Sequence, residues 1–120
     1  MTTRPPAEGL DGVGFRRWLQ GDGVSEKVAS DYLSRCKRVQ AALGVNLAAA
    51  TVTEESFVQL MKDIQRYSMS LSRVKTVNHR ITGSLRSAVR KFARYTHGKR
   101  VDRYRKNHGL SSYTSLERNE

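Results

Sequence analysis

Residues 72–97 read SRVKTVNHRITGSLRSAVRKFARYTH, and this stretch decides the fold. At about 100° per residue, Val74, Val77, Ile81, Leu85, Ala88, Val89 and Phe92 share one side, which predicts one long helix with a core stripe. Lys75, His79, Arg86 and Arg90 collect on the opposite side, with Thr82 among them and Arg94 at the edge. A basic solvent ridge is expected there. Roughly 26 residues at about 1.5 Å each make a rod of about 39 Å, long enough to lie across a DNA groove. Gly83 inside it costs about 1 kcal/mol against alanine, so a close helix approach or a slight bend is expected at that point.

Charge sharpens the reading. Between Arg73 and Lys106 stand twelve basic residues and one acid, Asp102, whereas the whole chain has 22 basic and 11 acidic residues. The remainder is balanced, and the net charge of +11 sits in the long helix and its extension. Arginine outnumbers lysine eight to four in this stretch, and a surface so polarised suits a polyanion, whose condensed counterions it displaces.

The segments around this helix are also helical in pattern. At 120 residues, 38% of them hydrophobic, the chain predicts one all-α domain, a compact bundle of four or five helices with one much longer than the rest. Residues 1–12, with Pro5, Pro6, Gly9 and Gly12, are expected to form a mobile arm. Val13 to Gln20 is a short helix whose Phe15, Trp18 and Leu19 plug the core, and Gly21 and Gly23 end it. Ser25 caps a helix running to about Leu43, with Val28, Tyr32, Cys36, Val39 and Leu43 buried and Lys27, Ser30, Asp31, Ser34 and Arg38 outward. Gly44 and Asn46 stop it, and VNLAAAT is a linker with room for a partial turn. Thr53 caps a helix with Phe57, Leu60, Met61, Ile64 and Tyr67 inward, and Ser68 to Leu71 turn into the long helix. From residue 98 to 120 the apolar period is lost, so a basic, then polar, tail is expected, in which Tyr104 could stack on a base between Arg103, Arg105 and Lys106.

No catalytic constellation is present in the sequence. His79, His97 and His108 lack metal-ligand spacing with each other or with Cys36, and no glycine-rich loop follows a strand. No cofactor, metal site or enzymatic activity is expected. Cys36 lies on the apolar side of its helix and reads as a buried packing thiol. The single cysteine and the lack of a secretory or membrane-spanning run predict a cytoplasmic protein. No heptad seam suggests a coiled coil.

FRRWL at 15–19, SEKVASDYLSRCKRV at 25–39 and VKTVNHRITGSLRSAVRKFARY at 74–95 resemble, in order and length, the core-binding domain of tyrosine recombinases and phage integrases. That family carries S-x-x-T-x-x-x-Y on its second helix and T-x-N-R, then L-R, on its fourth. Ser25, Tyr32, Thr76, Asn78, Leu85 and Arg86 resemble those positions. Val28 stands where Thr is usual, and Arg80 follows Asn78 by two residues instead of one. The resemblance covers residues 13–97 and implies a compact SAM-like bundle. It implies that the second and fourth helices cross the major groove, with Ser25, Lys27, Lys75, Thr76 and His79 as groove contacts. The family's catalytic domain, with its Arg, Lys, His-x-x-Arg and nucleophilic Tyr, is not expected here. His97-Gly98-Lys99-Arg100 spells H-x-x-R without a catalytic scaffold before it.

The expected function is therefore a non-enzymatic DNA-binding module that docks on duplex DNA. Its expected contacts are Ser25, Lys27, Arg73, Lys75, Thr76, His79, Arg80, Arg86, Arg90, Arg94, Lys99 and Arg100. Two alternatives stand beside it: a regulator whose basic face binds an acidic protein, such as a partner in a recombination or mobile-element system, and an RNA-binding protein. A membrane partner is not expected, because the exposed faces lack interfacial aromatic anchors.

Overall fold

A computed structural model of the chain describes residues 10–104. The expectations for residues 1–9, for His108 and for the tail beyond residue 104 lie outside the described residues. The described chain is all α, with no strand among these residues, including around Val52. In order it forms α1 (Gly12–Gly21), α2 (Glu26–Leu43), α3 (Leu47–Ala50), α4 (Glu54–Ser68), α5 (Lys75–His97) and a 3-10 turn (Lys99–Val101).

Four of the five α-helices begin where a side chain accepts an orphan backbone N–H. Asp11 caps α1 through Gly14 N, Ser25 caps α2 through Val28 N, and Asn46 caps α3 through Ala49 N. Thr53 and Ser56 form a reciprocal capping box at α4. Asn46, expected as a stop, is thus a start. Gly44 alone ends α2, in the left-handed region at φ 65°, where a Cβ would be strained. The long helix differs: Val74 is its N-cap and makes no side-chain cap. It starts three residues later than expected because Asn78 Nδ2 donates to Ser72 O at 2.8 Å and Met69 O at 3.2 Å, pinning the preceding turn in a non-helical path.

The core gathers on α5. Phe15 and Leu19 of α1, Leu33, Cys36 and Val39 of α2, and Phe57, Leu60, Met61 and Ile64 of α4 are buried with Leu85, Ala88, Val89 and Phe92. Phe15 meets Phe92 edge to face at 5.4 Å, and half-buried Trp18 packs on Tyr95 at 5.6 Å. Tyr95 Oη donates to Asp11 at 2.6 Å, tying the cap of α1 to α5. That bond and the Gly14 amide hold the Asp11 carboxyl below its usual range. An alanine at position 14 would place its methyl against both partners of this bond.

Two expected faces are corrected by this packing. On α2 the buried side is Ala29, Leu33, Cys36, Val39 and Gln40, while Val28 is 43% exposed and Tyr32 and Leu43 are half-buried. On α5, Asn78, Thr82, Gly83, Arg86 and Ala93 join the interior, whereas Val74 is 52% exposed. The buried arc is centred about 70° from the apolar stripe, at about 100° per residue. The reason is that α5 packs on α4 as well as on α1 and α2, so its polar flank is enclosed too. Gly83 lies within that enclosed arc.

The chain after α5 also departs from the expected tail. Val101 is 2% and Tyr104 8% exposed, and the Tyr104 ring packs on Phe57 at 5.4 Å. Two apolar residues three apart extend the core beyond Gly98. Tyr104 is packed against the domain and does not stand out as a stacking platform.

Candidate nucleic-acid interface

With α5 turned this way, Arg80, Ser84, Ser87, Lys91 and Arg94 fall on one stripe, spaced four, three, four and three residues apart. Helical geometry places such residues on one face. The stripe runs beside α2, which is antiparallel to it: Cys36 Sγ donates to Ala88 O at 3.4 Å near the middle of the seam. Small side chains at 84 and 87 keep the floor low, so the two helices leave a groove instead of a ridge.

Cations line both ends of this groove. At the α5 N-terminal end, Arg35 and Arg38 of α2 face Arg80 and Ser84 of α5 across a cleft of about 200 Å³. Arg38 is held in place by Tyr67, whose hydroxyl accepts from Nε at 3.1 Å and whose ring centroid lies 5.7 Å from the guanidinium. At the other end, Arg90, Lys91, Arg94 and Arg103 surround a cleft of about 460 Å³ with Tyr32 as one wall and Asp102 as its acid. The lining is cationic on balance: Asp102 stands among four cations and lies 3.9 Å from Arg94 Nε.

The expected contact residues divide. Arg80, Arg90 and Arg94 line the groove. Arg73, Lys75 and Thr76 are exposed at the start of α5, and His79 is half-buried there; none of the four lines either cleft. Ser25 is an exposed cap, and Lys27 sits 3.7 Å from Asp31. Lys99 and Arg100 are exposed past the end of α5, and Arg100 Nη2 donates to Val52 O at 3.2 Å. His97, the first residue of the H-x-x-R string, places Nε2 2.9 Å from Ala48 O. A carbonyl only accepts, so Nε2 carries the proton and fastens α5 to α3.

Arg86 is a correction. It is 1% exposed, with Nε and Nη2 donating to Met61 O at 3.2 and 2.8 Å and Nη2 also to Gln65 Oε1 at 3.2 Å. Burial pulls its guanidinium down to about 10 from the usual 12.5. It holds α4 to α5 and cannot reach a phosphate. Thr82, placed on the same ridge, is also buried, bonded to Ser68 and donating to Asn78 O at 2.9 Å.

Arg35 and Lys91 were not among the expected contacts; Arg38 was expected only as part of the outward face of α2, and Arg103 only as a tail charge beside Tyr104. Their signal was present as a second stripe on α5 in register with Tyr32, Arg35 and Arg38, spaced three apart on α2, but the apolar period of α5 outweighed it. No set of three His, Cys, Asp or Glu side chains able to hold a metal occurs among the described residues, and no described helix is long and apolar enough to cross a membrane. No protein-family model, curated protein or solved structure matches the chain.

Proposed function

We propose that the chain is a non-enzymatic module that binds duplex DNA through the α2–α5 groove. One observation carries the reading: seven cationic side chains from two helices and the following turn line one seam against a single acid. From Arg80 to Arg94 the α5 stripe rises about 21 Å at about 1.5 Å per residue, about the length of six phosphates along one strand at 3.4 Å each. Arg38 and Arg94 are already ordered by neighbours, so less rotamer freedom is lost on binding. Such contacts set affinity and orientation, and base preference needs further contacts at groove edges. The resemblance to integrase core-binding domains agrees with this function but suggests a pose led by Lys75, Thr76 and His79. In the cell this activity would place the protein on the nucleoid, in the cytoplasm.

The test is fluorescence anisotropy with a mixed-sequence duplex of about 30 base pairs at roughly 50 and 200 mM salt. Affinity should fall steeply with salt. Combining Arg35→Gln, Arg80→Gln and Lys91→Gln should lower affinity at least about tenfold at the lower salt and flatten the log–log slope by about 3, near one per lost phosphate contact. If Lys75→Gln with His79→Gln weakens binding and the groove variant does not, the groove is the wrong face. Preferential displacement by single-stranded RNA would favour RNA as the partner. Absence of binding at the lower salt would turn the groove into a docking surface for an acidic protein.

A further inference from the structure

The larger cleft contains something that attraction to a phosphate chain does not call for. Asp102, the only acid between Arg73 and Lys106, stands among Arg90, Lys91, Arg94 and Arg103. Its side chain is 57% exposed and 3.9 Å from Arg94 Nε, an open pair that adds little to stability. The wall that carries it is built into the fold, since Val101 and Tyr104 on either side are buried. Facing it is Tyr32, half-buried, with the Arg35 guanidinium 5.9 Å from its ring centroid. The cavity, about 460 Å³, is within the range of small-ligand sites.

These groups discriminate among anions. Inorganic phosphate gains from the four cations and can offer its remaining hydroxyl to the carboxylate, but it brings nothing for the Tyr32 ring. A ligand that brings a hydrogen-bond donor and a flat ring along with its phosphate gains from all three features, because a carboxylate accepts and an aromatic ring stacks. We propose that this cleft seats one nucleotide, with its phosphate on the cations, its base against Tyr32, and an amino or hydroxyl group donating to Asp102. A base paired inside a duplex is not available to Tyr32. The occupant is therefore an unpaired nucleotide on a strand, such as an overhanging end, or a free mononucleotide. The strand form rests on the duplex reading above; the free form does not.

The experiment titrates the full chain, labelled with ¹⁵N, with adenosine and guanosine monophosphate and separately with inorganic phosphate. A mononucleotide should bind at least about fivefold more tightly than inorganic phosphate, the low end of what one base gains on an aromatic ring. Its largest amide shifts should fall at Ser87, Lys91 and Arg103. Lys91→Gln with Arg103→Gln should weaken it by about fivefold or more, as expected on losing charge-assisted bonds, while Arg38→Gln with Arg80→Gln at the far end of the groove leaves it unchanged. Asp102→Asn should narrow the preference, because the nucleotide's amino or hydroxyl donor loses a charged acceptor while the phosphate of either ligand gains from the removed charge. Equal binding of phosphate and mononucleotide by the unaltered chain, shifts mapping outside the cleft, or an unchanged preference in Asp102→Asn would each overturn the proposal. A second arm compares a blunt duplex with the same duplex carrying one unpaired, 5′-phosphorylated nucleotide. Preference for the extended duplex assigns the strand form; mononucleotide binding without that preference assigns the free form. Loss of blunt-duplex binding with mononucleotide binding retained would reject the duplex reading and leave this one standing.

Discussion

Helix α5 has two interiors. Toward α1 and α2 it presents Phe92, Val89 and Ala88 to Phe15, Leu19, Leu33 and Cys36, all buried, and that side is held by removing apolar surface from water. Toward α4 it presents Asn78, Thr82 and Arg86, equally enclosed. They are bonded to Met69 O and Ser72 O, to Ser68, and to Met61 O and Gln65. Both sides exclude water, but only the first leaves an apolar period in the sequence. The second becomes possible because these donors find backbone carbonyls, a hydroxyl and the Gln65 amide oxygen, so most of the cost of leaving water is offset locally, although Asn78 Oδ1 is buried without a partner.

The difference should appear when each side is cut. Phe92→Ala removes a ring that is 1% exposed and meets Phe15 at 5.4 Å, and it should destabilise by about 4 kcal/mol in urea unfolding, the usual range for a buried phenylalanine. A loss below about 1 kcal/mol, the scale of a surface substitution, would mean that the aromatic corner is not packed as described. On the other side, Arg86→Ala should cost about 3 kcal/mol, combining a cavity with lost bonds to Met61 and Gln65. Arg86→Met separates the two contributions, since it restores volume without donors. It should recover about 2 kcal/mol of that loss, because Met61 O lies inside α4 and retains its helical bond. If Arg86→Met is as damaging as Arg86→Ala, the hydrogen bonds and not the filled space hold this seam. DNA affinity of folded Arg86→Met should match the parent, since the guanidinium is enclosed.

This contrast also explains what the sequence made legible. On α4, most of whose polar residues face water, Phe57, Leu60, Met61 and Ile64 are buried as the spacing predicts and Tyr67 is half-buried, and Ser25 and Thr53 cap where expected. Cys36 is a buried thiol, as its place on α2 implied. The orientation of α5 was not legible, because an arginine whose donors end on a neighbouring helix looks, in sequence, like an arginine in water. A rotation of about 70° on a wheel of 100° per residue then exchanges ridge for interior. Arg86 leaves the site, while Lys91 and, from α2, Arg35 and Arg38 enter it. Tyr104 was misplaced for a related reason: with Val101 it makes too short a pattern to register as a helix face, yet both side chains pack against the core.

The smallest effect probes how closed the apolar side is where Cys36 of α2 meets Ala88 of α5. Cys36 is buried there, donating to Ala88 O at 3.4 Å, and burial pushes its thiol up to about 12 from 9.0. In the unfolded chain the thiol loses its proton near pH 9, while the folded chain keeps it. The unfolded state therefore binds fewer protons above that pH, so this group's contribution is whole below pH 9 and is lost as pH rises toward about 12. Stability should fall by about 1 kcal/mol between pH 9 and 10 on account of this thiol. Arg86 works in the opposite sense. Its folded guanidinium releases a proton first, so its contribution to stability rises from about pH 10 upward, and the Cys36 window is best read below that point. Comparing urea unfolding of the parent and Cys36→Ala at pH 8, 9 and 10 isolates the thiol, because every other titrating group is common to both. The variant should be slightly weaker at pH 8 and lose about 1 kcal/mol less than the parent between pH 9 and 10. Parallel pH slopes would show that water reaches Cys36 in the folded state, and that the apolar seam of α5 is no more closed than the polar one.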